Sequence, residues 1–118
     1  MASRISLNPD ISGPDLLRIV PDRHLLAVDD AMDLMPQVPL WHLGRGKPAR
    51  IEREYTFPDW NEAMAFVNAV SEIAVANQHH PEVELSAGRV VLSLHTHAVG
   101  GLTLNDFVLA SKIDAIPT

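Results

Sequence analysis

Apolar residues recur at three- and four-residue spacing from Ala63 through Phe66, Val67, Val70, Ile73 and Ala74. That period predicts an amphipathic helix. Pro58 and Asp59 mark its start, with Asp59 as N-cap and Glu62 three residues on. It should run to about Asn77 or Gln78. Upstream, Ile51, Arg53, Tyr55 and Phe57 alternate with Glu52, Glu54 and Thr56, which predicts a strand with one half-buried face. Leu40-Trp41-His42-Leu43 reads as a shorter strand, and Gly44 to Pro48 as the turn that pairs the two. Val83–Ser86 and Arg89–Thr96 bracket Ala87-Gly88, a second hairpin. In its latter strand Val90, Leu92, Leu94 and Thr96 share one face, while Val91, Ser93, His95 and His97 share the other.

Two further helices complete the pattern. Asp29 to Met35 carries Ala31, Leu34 and Met35 on one face; Asp29 or Asp30 can cap it and Pro36 stops it. Gly100-Gly101 breaks the preceding strand, and Thr103-Leu104-Asn105-Asp106 resembles a capping box with Asp in place of Glu. A helix from about Leu104 to Ile113 follows. The order is helix, hairpin, helix, hairpin, helix. To bury both apolar sets, the helices must cover one face of an antiparallel four-stranded sheet. The fold class is therefore α+β, αββαββα, over residues 29–118. Residues 1–28, with Pro9, Pro14 and Pro21, read as a partly ordered extension; Asp15 to Val20 could form one helical turn.

Composition narrows the function. With 118 residues and 47% hydrophobic content, the chain suits one folded domain. No apolar run is long enough to span a bilayer, and the N-terminus lacks the apolar core of a signal peptide. The absence of cysteine removes disulfides and thiolate chemistry and fits a cytoplasmic protein. A net charge of -6 argues against general nucleic-acid binding. Arg45, Lys47, Arg50 and Arg53 form a local basic exception, either a solvated hairpin rim or a docking patch for an acidic group.

The candidate chemistry is histidine. Asn77-Gln78-His79-His80-Pro81-Glu82 ends the central helix, and Pro81 pushes His80 towards an extended conformation. His97 and Asp106 follow. Imidazoles that converge could move protons near neutral pH. Each residue also has a plainer reading. Histidines at a helix end suit the helix dipole, His97 could be a surface residue, and Asp106 could only cap a helix. Trp41 and Trp60 read as core or interface aromatics. His95-Thr96-His97, together with His79 or His80, could alternatively form a three-nitrogen zinc site.

His79-His80-Pro81, His97, Gly101-Leu102-Thr103 and Asp106 together resemble the signature of the pterin-4a-carbinolamine dehydratases. The similarity extends through Tyr55-Thr56-Phe57 upstream and Asn105-Asp106-Phe107 downstream, over about residues 34 to 114. It implies a small homodimeric or homotetrameric enzyme with no metal or other cofactor. Such an enzyme dehydrates a 4a-hydroxytetrahydropterin to quinonoid dihydropterin and so recycles the cofactor of aromatic amino-acid hydroxylases. The resemblance implies His79, His80 and His97 as catalytic. His79 and His97 would be the acid–base pair, and His80 would hold the pterin or orient the pocket. Asp106, Pro81 and Trp41 would contribute to substrate binding, with Asp106 anchoring an imidazole or a ring nitrogen. Two positions depart from the pattern: Val75 stands where the family carries a polar group, and Ala87 where it carries an aromatic. These departures, with Lys47 to Arg53 and the Ser86–Arg89 turn, resemble a non-catalytic branch of the fold that assists Rubisco assembly in carboxysomes. Other relatives serve as dimerisation cofactors of transcription factors.

Overall fold

The computed structural model describes residues 24–118. The expected turn at Asp15–Val20, and the extension as far as residue 23, lie outside the described residues. The chain forms α1 (Val28–Leu34), β1 (His42–Leu43), β2 (Ile51–Thr56), α2 (Trp60–Asn77), β3 (Glu82–Ser86), β4 (Arg89–Leu94) and α3 (Leu104–Asp114). Single 3-10 turns sit at Met35–Gln37 and His97–Val99. The strands make one antiparallel sheet in the order β1-β2-β4-β3. This is the expected α+β architecture.

One core joins the sheet to all three helices. Ile51 and Tyr55 of β2 and Val90, Leu92 and Leu94 of β4 meet Ala31 of α1, Ala63, Phe66 and Val70 of α2, and Phe107 and Leu109 of α3. Burying each large side chain contributes about 1.5–3 kcal/mol. α3 is buried on almost every side, from Asn105 to Ala110 and again at Ile113. α2 is amphipathic; it buries Ala63, Phe66, Val70 and Ala74 and leaves Val75 exposed.

Local chemistry sets the ends of these elements. The Asp59 carboxylate accepts from the Glu62 N–H at 2.9 Å, as an N-cap should. α1 behaves differently. Its N-cap is Ala27, with no side-chain cap, so Asp29 and Asp30 lie within the first turn, where they favour the helix dipole instead of capping. Gly88 turns the second hairpin at φ +76°, and a Cβ there would lie 2.9 Å from the Phe57 carbonyl oxygen. Only glycine fits such a position without strain.

Two strands are shorter than the alternation suggests. β1 holds only His42 and Leu43. Trp41 precedes it and turns into the core at 3% exposure. β4 stops at Leu94, because Thr96 pairs with Gly101 and closes a tight loop over His97–Gly100. His97 therefore sits on a loop and not on the strand face shared by Val91 and Ser93.

Candidate active site

α2 ends two residues before the first histidine. Gln78 adopts the left-handed conformation at φ 52°, and its N–H and that of His79 bond back to the Val75 and Ala74 carbonyls. This is a Schellman-type stop. The helix thus ends at Asn77, where the sequence expects it, with the left-handed Gln78 as its cap. The β3–β4 register pairs Glu82 with Ser93. Continued past the paired residues, it lays the 79–81 segment alongside Leu94 to Thr96.

The two segments meet at a buried carboxylate. Asp106, in the first turn of α3, has a fully buried side chain. Its Oδ1 lies 2.6 Å from His79 Nε2. Its Oδ2 accepts from the Thr96 hydroxyl at 2.9 Å and from the Thr103 N–H at 2.9 Å. An ionised carboxylate only accepts, so His79 Nε2 carries the bonded hydrogen and the neutral ring keeps its lone pair on Nδ1. The imidazole is 12% exposed. Both carboxylate oxygens are engaged inside the protein.

The other expected residues lie in different settings. His80 is exposed and Pro81 half-buried. His97 is exposed, directly after Thr96, with its ring centroid 6.4 Å from that of His95. Thr96 thus links the sites of His79 and His97: its side chain bonds the carboxylate that holds one, and its chain neighbour is the other. Trp41 is elsewhere. Its Nε1 donates to Asp114 Oδ1 at 2.8 Å, and Arg53 Nη1 donates to the same oxygen at 2.7 Å. Asp114 is eight residues beyond Asp106, about 12 Å along an α-helix. The structure therefore makes Trp41 part of a strut at the far end of α3.

His95 has one carboxylate nearby, Glu82, at 3.9 Å from its Nδ1, which is beyond hydrogen-bond range. Among the described residues, no group of three His, Cys, Asp or Glu side chains is placed to hold a metal ion. That removes the geometric basis of the zinc alternative. A cleft of about 470 Å³ opens on the other face of the sheet, bordered by His42, Arg50, Glu82 and His95. None of His79, His80, His97 and Asp106 lines it. On that face Arg50 pairs with Glu52 and Arg89 with Glu54. The exposed Arg89 guanidinium holds the Glu54 carboxyl below its usual range, and Glu54 raises Arg89 in return.

Thr96 was the residue whose role spacing alone did not announce. One signal was present: a hydroxyl in line with Val90, Leu92 and Leu94, on the strand face that turns inward. A polar group placed there must find a partner. No helix of the described residues is long and apolar enough to cross a membrane.

Known proteins resemble this chain in sequence and in fold. A Stenotrophomonas maltophilia protein provisionally named pterin-4-alpha-carbinolamine dehydratase is 41% identical, over 79% of this chain and 79% of its own length. The crystal structure of a transcriptional coactivator/pterin dehydratase from Brucella melitensis superposes with a TM-score of 0.72 at 27% identity, over 78% of this chain and 97% of that one. A pterin dehydratase-like protein described as a Rubisco assembly factor of the alpha-carboxysome shares the fold at a TM-score of 0.53 and 21% identity, over 64% of this chain and 86% of that one. The sequence model of pterin 4 alpha carbinolamine dehydratase matches residues 24–116. By that match, and by its identity to such relatives, the chain belongs to the pterin-4-alpha-carbinolamine dehydratase family.

Proposed function

We propose that this protein dehydrates a 4a-hydroxytetrahydropterin to the quinonoid dihydropterin, using His79 and His97 as its acid–base pair. The observation that carries the proposal is the buried His79–Asp106 contact at 2.6 Å. It fixes one imidazole of the family signature with a lone pair on Nδ1. In this reading His79 Nδ1 takes the proton from pterin N5. The C4a–O bond breaks, and His97 gives its proton to the departing hydroxyl, which leaves as water. Asp106 steadies the imidazolium that forms on His79. His80 and Pro81, on the same turn, hold the pterin. Groups of this kind each contribute roughly 10²–10⁴-fold to rate.

Retention of His79, His80, His97 and Asp106 favours the enzyme over the Rubisco assembly-factor alternative, whose support is the Val75 and Ala87 departures, the Lys47 to Arg53 stretch and the Ser86–Arg89 turn. Association of copies is part of the proposal. The sheet is open, and β3 exposes an unpaired edge that calls for pairing or protection. The test is a direct assay of quinonoid dihydropterin formation from the 4a-hydroxy compound. Turnover well above the buffer rate is expected; a rate equal to the buffer blank rejects the proposal.

A further inference from the structure

We propose that Thr96 is a positioning residue for this site, setting the orientation of His79 through Asp106 and tying the His97 loop to the same anchor. The effect on turnover rests on the dehydratase reading; the effect on His79 does not.

The direction of the hydrogen bonds carries the inference. A threonine hydroxyl has one hydrogen to give. Asp106 Oδ2, at 2.9 Å, can only accept, so the Thr96 hydrogen points there. The Thr103 hydroxyl, 2.8 Å from Thr96 Oγ1, must then donate to Thr96. Two hydroxyls in series point at the carboxylate. With the Thr103 N–H also on Oδ2, the carboxylate cannot pivot, and Oδ1 is left facing His79 Nε2. The three polar residues are all buried, so water does not replace a lost partner cheaply.

The Thr96 backbone does a second job. Its N–H donates to the Gly101 carbonyl at 2.7 Å, and its carbonyl accepts from Val99 and Gly100 at 3.2 and 3.1 Å. These bonds close the loop on which His97 stands. One residue therefore fixes the carboxylate behind the first imidazole by its side chain and the loop of the second by its main chain. A misplacement of about 1 Å in such a pair costs on the order of 10²-fold in rate.

The test compares Thr96→Val, which keeps the shape and removes the hydroxyl, with Thr96→Ser, which keeps the hydroxyl. Two readouts are taken: kcat against KM, and the imidazole nitrogen resonances of His79 in ¹⁵N-labelled protein. The valine variant is expected to lose roughly 10- to 100-fold in kcat with KM little changed, and to lose the single Nε2–H form of His79. The serine variant should restore both. A folded Thr96→Val protein with unaltered His79 resonances overturns the proposal, whatever its melting temperature. Should Thr96→Val not fold, the unmodified protein still decides: at mildly alkaline pH, hydrogen on Nδ1 instead of Nε2 overturns it. Absence of dehydratase turnover in the unmodified protein strikes the functional reading alone, because the resonances test the positioning independently.

Discussion

α3 carries an aspartate at each end, and the two do different work. Asp106 gathers His79, Thr96 and the Thr103 N–H around a fully buried carboxylate. Asp114 gathers Trp41 and Arg53 around a partly exposed one. Both join segments that are distant in sequence. The difference lies in the partners. Arginine stays charged at any working pH and indole cannot exchange its role; with Arg53 also lying over the Tyr55 ring at 4.3 Å, the Asp114 end is a fixed staple. An imidazole can change its proton. At the Asp106 end, that imidazole reaches solvent. The same anion, on the same helix, therefore supports structure in one place and proposed chemistry in the other.

The comparison breaks most sharply at the aspartates themselves. Asp106→Asn should lower kcat by roughly 10²-fold or more, because His79 loses its ionised acceptor. The same change leaves buried donors short of partners and should cost about 1–3 kcal/mol in urea unfolding. Asp114→Asn should lose similar stability and keep its turnover. Equal loss of turnover in both variants would erase the distinction. His97→Ala should lose roughly 10²-fold in kcat with an unchanged melting curve, since the ring is exposed.

A smaller effect sharpens the other end. Trp41→Phe removes one donor to Asp114 and should cost about 0.5–1.5 kcal/mol. A rise in KM for the pterin in that variant would return Trp41 to the pocket the resemblance implied. The smallest effect belongs to the open sheet face. Glu54 is held below the usual carboxylate range by the exposed Arg89. Its contribution is present above that range and fades as pH falls through its lowered value. Glu54→Gln should lower the neutral-pH melting temperature only slightly, because the pair is exposed, and the difference from the unmodified protein should vanish in acid, which flattens the acid limb of unfolding.

Much of this molecule is legible in its sequence. The period of Ala63 to Ala74, the alternation of Ile51 to Phe57 and the Ala87-Gly88 turn are local signals, and local signals survive into the fold. The motif residues His79, His80, His97 and Asp106 were identifiable one by one. Ranges at the ends were less so. β4 stops short because Gly101 captures Thr96, a pairing no local pattern encodes. The sequence groups Arg53 with the basic cluster of a solvated rim or docking patch; the structure instead tucks it on the inward face of β2 and pairs it with Asp114, 61 residues away.

The sequence by itself determined the elements, their order and the family signature, because helix and strand periods and cap residues act over a few neighbours. Only the tertiary structure decided what each polar residue does. Asp106 could have been no more than a cap, and Trp41 could have lined a pocket. Their roles follow from which donors packing delivers to each carboxylate. Such delivery depends on the register of two hairpins against one helix, a property of the whole core and not of any segment within it.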